Sequence, residues 1–294
     1  MNRIFYFNIT YRCNLNCIFC FSNSTCINGK NMNVNTIINS LEKLKPDEKD
    51  LIVLNGGEPS FHPDFYDLLL ILQSNYLSDI IIYSNGSILN VSKLQINKSL
   101  KTCFVIPFHG NERMHNAITQ VNGAFQRTVE NIKLLNRNGY RYKIKYIIND
   151  AIIKSNFNID EFVKKYQFTP DEIVIARLNS TTKSKKNNVI IPTDKDLKNY
   201  INEQIKLLNG KYSIKLLDFP PCFLEGYSLQ TTYVETPVFY FNDISNKMVI
   251  RSYYKEIMIG SKCDTCDYSK TCEIMENSYL TLALHENVLS LKRE

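Results

Sequence analysis

The run Thr10-Tyr11-Arg12-Cys13-Asn14-Leu15-Asn16-Cys17-Ile18-Phe19-Cys20 decides how this chain is read. It sets three cysteines at the spacing C-x3-C-x2-C, directly after the apolar run Ile4-Phe5-Tyr6-Phe7-Asn8-Ile9. That run predicts a short strand, which puts the cysteines on the loop at its C-terminal end. Three thiolates on one tight loop suit three corners of a four-iron cube and leave the fourth iron open to a small molecule. The competing readings are a zinc loop or three buried structural thiols; zinc wants four ligands and usually pairs one C-x2-C with a second.

Outward from the loop, strand-like and helix-like stretches alternate as far as residue 208. Strands are predicted at Leu51–Leu54, Asp79–Tyr83, Cys103–Phe108, Tyr142–Ile148 and Glu172–Ala176. Helices are predicted at Val34–Leu44, Asp64–Gln73, Val91–Asn97, Gly123–Asn138, Ile159–Tyr166 and Asp194–Leu208. The short apolar strands do not alternate with polar residues, which suits a parallel sheet covered on both faces. Polar, glycine-bearing motifs sit where α/β barrels place their chemistry, at the C-terminal ends of the strands. Asn179 to Asn188 reads as a mobile surface loop or a lid over the open barrel face.

The chain has 294 residues, 44% hydrophobic and 22% charged, an ordinary globular composition. The net charge of +6 is read as solvated surface and not as a nucleic-acid face. No run of 18 or more apolar residues occurs, and no basic-then-apolar signal precedes the first strand, so no membrane partner and a cytoplasmic location are expected. Nine cysteines without an export signal point to metal rather than disulfides, and six fall in two tight groups. Cys103 lies in an apolar strand and reads as core; Cys26 is a bystander or a radical-quenching thiol.

Cys13, Cys17 and Cys20, with aromatic Phe19 before the last of them, resemble the signature of the radical S-adenosylmethionine (SAM) enzymes. Gly56-Gly57-Glu58-Pro59, after the second strand, resembles that family's GGEP element, which contacts the amino group of SAM's methionine part. Ser84-Asn85-Gly86 ends the third strand, where the family often has T-N-G or S-N-G; it reads equally as a turn or as a contact to the SAM ribose or carboxylate. Pro107-Phe108-His109-Gly110, then His115 and Gly123-Ala124-Phe125, is similar to a further family pattern. It departs from it in two places: Pro107 stands where a serine is usual, and Gln120-Val121-Asn122 replaces the usual Arg-Gly. His109 and His115 are the catalytic candidates, although a lone histidine is more often structural.

The resemblance implies an α/β fold, a partial (β/α)6 TIM-like barrel over 1–211, with a small cysteine-rich domain over 212–294. There, Cys263-x2-Cys266-x5-Cys272, with Cys222 upstream and Tyr279 downstream, looks like the C-terminal region of SPASM and Twitch radical SAM proteins. Four cysteines suit one auxiliary [4Fe-4S] cluster, the Twitch arrangement, and zinc is the alternative. The implied cofactors are thus a SAM-binding [4Fe-4S] cluster, SAM and the auxiliary cluster, with Phe19 beside the adenine. The implied chemistry is reductive cleavage of SAM to a 5′-deoxyadenosyl radical that abstracts hydrogen from substrate. A low-potential donor, flavodoxin or ferredoxin, would supply the electron. Relatives of this kind commonly modify ribosomally made peptides by oxidation, cross-linking or thioether formation; dehydrogenation of a small sugar or alcohol is the alternative. The chain starts at the first strand, so leader recognition is expected from a separate leader-peptide-binding protein or the barrel rim. The reading from another class is a zinc-stabilised, non-catalytic binding protein.

Overall fold

The computed structural model describes residues 3–27, 29–94, 102–178, 181–217, 219, 223, 238–241 and 249–251. Seven strands follow the chain: β1 (Ile4–Thr10), β2 (Leu51–Gly56), β3 (Asp79–Tyr83), β4 (Thr102–Phe108), β5 (Arg141–Ile148), β6 (Glu172–Arg177) and β7 (Ile214–Leu217). All pair in parallel with their chain neighbours. β8 (Val238–Phe241) pairs in parallel with the free side of β1, and β9 (Val249–Arg251) pairs antiparallel with β8. The order β7-β6-β5-β4-β3-β2-β1-β8-β9 is linear, so the sheet stays open.

The helices are α1 (Val34–Leu44), α2 (Phe65–Asn75), α3 (Glu112–Thr119), α4 (Ala124–Arg137), α5 (Asp150–Lys154), α6 (Ile159–Tyr166), α7 (Thr182–Lys186) and α8 (Asp194–Leu208). They supply the cover that unalternating strands require: β2, β4 and β6 are buried at consecutive residues, not at every second one. Phe104, Phe108, Phe125, Phe162 and Phe168 join Tyr142 and Tyr146 in the continuous core, with the Phe108 and Phe162 rings 5.0 Å apart. This is the α/β architecture that the sequence implies.

Three local expectations change. Of the predicted helix at Val91–Asn97, the described part is one 3-10 turn, Val91–Lys93, with Leu94 already extended; residues 95–97 lie outside the described residues. Asn90 makes no side-chain cap there, so nothing propagates the turn. The predicted loop at Asn179–Asn188 holds α7, because Thr181 and Ser184 cap each other reciprocally. α3 and α5 are further helices, started by the side chains of Asn111 and Asn149.

β7 continues the sheet past residue 211, and β8 seats on β1 with Phe241 stacked on Phe7 at 4.4 Å. Cys222, Cys263, Cys266 and Cys272 lie outside the described residues. Among the described residues no helix is long and apolar enough to cross a membrane.

Candidate active site at the C-terminal ends of the strands

Parallel pairing brings the ends of β1 to β4 to one edge of the sheet, and the sequence motifs lie there. At the end of β1 the register slips between Asn8 and Thr10, so Gly56 stands opposite Thr10. The cysteine loop begins at this bulge. Its far side is held by α3: the carbonyls of Ile118 and Thr119, at the helix's C-terminal end, accept the N–H groups of Ile18 and Asn16 at 2.9 and 3.0 Å. α7 closes the other side, with Lys183 Nζ donating to Asn16 Oδ1 and Asn187 Nδ2 to the Ile18 carbonyl, both at 2.7 Å.

The two glycines after β2 are glycines because the cysteine loop lies against them. A Cβ on Gly56 (φ +149°) would stand 2.2 Å from the Thr10 carbonyl oxygen, and one on Gly57 2.3 Å from that of Arg12. The Gly57 and Glu58 N–H groups donate to those same oxygens at 2.7 and 2.8 Å. Pro59 opens the 3-10 turn Pro59–Phe61, which Glu58 caps.

Glu58 is fully buried. Its Oε1 accepts from the Ser60 N–H at 3.1 Å, the Ser60 hydroxyl at 2.5 Å and the Ser84 hydroxyl at 2.7 Å. Its Oε2 accepts the Asn85 N–H at 2.6 Å. Burial pushes this carboxyl above its ordinary range, against the donors on Ser60, Asn85 and Ser84. The carboxylate therefore ties the end of β2 to the end of β3.

Past β4, His109 and His115 stack with ring centres 5.3 Å apart, and Phe19 meets His109 edge-on at 5.2 Å. His109 Nδ1 and both ring nitrogens of His115 are buried without hydrogen-bond partners. Burial holds both rings neutral, His109 well below the ordinary value and His115 at about 4. Phe19 also packs on Ile118 and Leu178. The structure thus brings Phe19 and both histidines together, and Glu58 with Ser84 and Asn85.

Cys13, Cys17 and Cys20 are free thiols, Cys13 buried and the other two half-buried. Burial, with Glu58 next in effect, pushes the Cys13 thiol up to about 12. Burial, then Cys20 and Cys13, pushes Cys17 up as well. Such thiols keep their protons at neutral pH unless a metal cation lies against them. Among the described residues no three His, Cys, Asp or Glu side chains converge on a point that one ion could occupy. Beyond burial, Cys20 raises the Cys13 thiol, and Cys20 and Cys13 raise that of Cys17, so the three thiols lie side by side on one loop. A cubane, which binds one thiolate per iron, suits that donor set.

Residues 7–167 match the family model of the Radical SAM superfamily. The chain belongs to the radical SAM superfamily. Membership implies a [4Fe-4S] cluster and SAM, and makes the chain one of a family of enzymes. It is 23% identical over 182 residues to an AdoMet-dependent heme synthase of Methanosarcina barkeri, covering 59% of this chain and 49% of that protein. It is 26% identical over 172 residues to a cysteine-type anaerobic sulfatase-maturating enzyme of Clostridium novyi, covering 53% and 46%. The chain thus spans about half the length of the curated relatives it matches. Streptococcus suis SuiB bound to S-adenosylmethionine shares the fold, with a TM-score of 0.62 at 15% identity, over 92% of this chain and 72% of that one. SuiB has also been solved bound to the precursor peptide SuiA.

Sequence reasoning missed four parts of this site: Asn14, Ser87, the end of α3, and Lys183 with Asn187. Asn14 and Ser87 each lie beside a residue already singled out, and that adjacency was the available signal.

Proposed function

We propose that this radical SAM enzyme modifies a ribosomally made peptide, by oxidation, cross-linking or thioether formation. The observation that carries the reading is the cysteine loop itself: three free thiols at the end of β1, clasped by the main chain of Gly57 and Glu58. Cys13, Cys17 and Cys20 would each hold one iron. SAM on the fourth iron would supply, after one-electron reduction, the 5′-deoxyadenosyl radical that takes hydrogen from substrate. The residues of this chain position and enclose. Phe19 offers its ring to the adenine; Gly56, Gly57, Glu58, Pro59, Ser84 and Asn85 frame the methionine end. His109 and His115, buried and neutral, are the catalytic candidates.

The peptide substrate is supported by likeness to the sulfatase-maturating enzyme and to the fold of SuiB. A flavodoxin or ferredoxin would be the electron donor, and a separate leader-peptide-binding protein a further partner. The region 212–294, whose strands β7, β8 and β9 continue the sheet, would also hold one auxiliary [4Fe-4S] cluster on Cys222, Cys263, Cys266 and Cys272, in a Twitch-type arrangement.

The test is iron, acid-labile sulfide and zinc content after anaerobic reconstitution. About eight irons and no zinc, two cubanes, are expected. About four irons with one zinc would remove the auxiliary cluster from the account.

A further inference from the structure

We propose that Asn85 is a positioning residue of the iron–sulfur centre: its amide donates to the Cys13 sulfur, holds that thiolate in place and raises the potential of the cluster's one-electron couple. The inference rests on Cys13 being a cluster ligand.

The direction of the Asn85 amide is fixed by a group that can only donate. The Ser87 main-chain N–H meets Asn85 Oδ1 at 2.8 Å, and the Ser87 hydroxyl donates to the same oxygen at 2.7 Å. The opposite end of the amide must then be the NH2 group. One of its hydrogens serves Asn14 Oδ1 at 2.9 Å; the other faces Cys13 Sγ, with nitrogen and sulfur 3.7 Å apart. Asn14 Nδ2 donates to Ser87 Oγ at 2.8 Å, which closes a ring of three side chains, each donating to the next.

The main chain of Asn85 is held as firmly. Its N–H goes to Glu58 Oε2 at 2.6 Å, and its carbonyl accepts the Thr128 hydroxyl at 3.1 Å. Every polar group of Asn85 therefore has a protein partner, and one of its amide hydrogens faces the Cys13 sulfur. The Leu15 N–H adds a second donor to Cys13 Sγ at 3.4 Å. Ser87 and Cys13 are buried, and Asn85 and Asn14 half-buried.

An N–H aimed at a ligand sulfur draws electron density from it. It therefore stabilises the more negative, reduced cluster more than the oxidised one. The couple concerned takes one electron from a low-potential reductant, passes from the 2+ to the 1+ state, and makes or breaks no bond. Without the donor the same reductant would fill the cluster less completely.

The experiment is a redox titration of the full-length, anaerobically reconstituted protein without SAM. It follows the electron paramagnetic resonance signal that SAM, added afterwards, perturbs. Asn85→Leu is expected to lower the reduced-to-oxidised ratio at fixed poise about tenfold, about 59 mV for a one-electron couple. Ser87→Ala opens the ring but keeps its main-chain donor, and should shift the ratio the same way by less. An unchanged potential in iron-loaded Asn85→Leu overturns the proposal. Should that variant fail to load iron, an unchanged potential in Ser87→Ala overturns it. A purely SAM-binding Asn85 would instead weaken SAM affinity and leave the SAM-free potential unmoved, which also overturns it. Absence of iron from the wild type would be a failure of the cluster reading itself.

Discussion

Gly57 lies so close to Arg12 that a Cβ would stand 2.3 Å from the Arg12 carbonyl oxygen and 2.8 Å from the Ser24 Cβ. That approach clamps the cysteine loop to the end of β2. Gly57→Ala should push the loop away and lower iron bound per chain by more than half, with the helical circular dichroism retained. Wild-type iron in this variant would mean that the clamp does not set the loop.

Glu58 receives two donors from Ser60 and one each from Ser84 and Asn85. In Glu58→Gln one side-chain acceptor becomes a donor and must face one of these donors. The expected loss is about 1–3 kcal/mol, read from the denaturant midpoint of the cluster-free protein. An unshifted midpoint would show that the carboxylate is not the tie between the two strand ends.

His115 has a folded-state value of about 4 against an ordinary 6.5, lowered by burial. The unfolded chain therefore binds the proton first as pH falls. The stability associated with the neutral ring is present above about 6.5 and is lost as pH drops towards 4, at about 1.4 kcal/mol per pH unit. His115→Phe suits the neighbouring Phe108 and Phe125 and removes two unpartnered nitrogens. Urea unfolding of the cluster-free protein should show this variant gaining on wild type at pH 5 relative to pH 7.5. Equal gains at both values would contradict the buried neutral ring.

Phe241 stacks on Phe7 with the ring planes 9° apart, joining β8 to the far side of β1. Phe241→Ala should cost about 3–5 kcal/mol of stability. A chain ended at residue 211 should lose at least as much, since it lacks β7 and β8. A 1–211 fragment with the stability of the full chain would mean that those strands add nothing.

The strands and the cysteine loop were legible because both write themselves locally: unalternating apolar runs for strands buried on both faces, and fixed cysteine spacing for the loop. α3 was not, since Glu112–Thr119 is short and carries only Met114, Ala117 and Ile118 as apolar residues; its place depends on the Asn111 cap and on the loop N–H groups that meet its last carbonyls. α7 hid in a polar, lysine-rich run because Thr181 and Ser184 cap each other within it. Gly56 and Gly57 also admit the main chain of Thr10 and Arg12, an approach the motif by itself does not show. Such contacts between distant segments leave no periodicity to read.

The central claim, that Cys13, Cys17 and Cys20 hold a SAM-cleaving cluster, is tested most directly by 5′-deoxyadenosine release from SAM. The assay uses reconstituted, reduced protein, with wild type beside each cysteine-to-alanine variant. The account predicts release by the wild type and none by Cys13→Ala, Cys17→Ala or Cys20→Ala. Release at the wild-type rate from any one of the three, or none from an iron-loaded wild type, would contradict it.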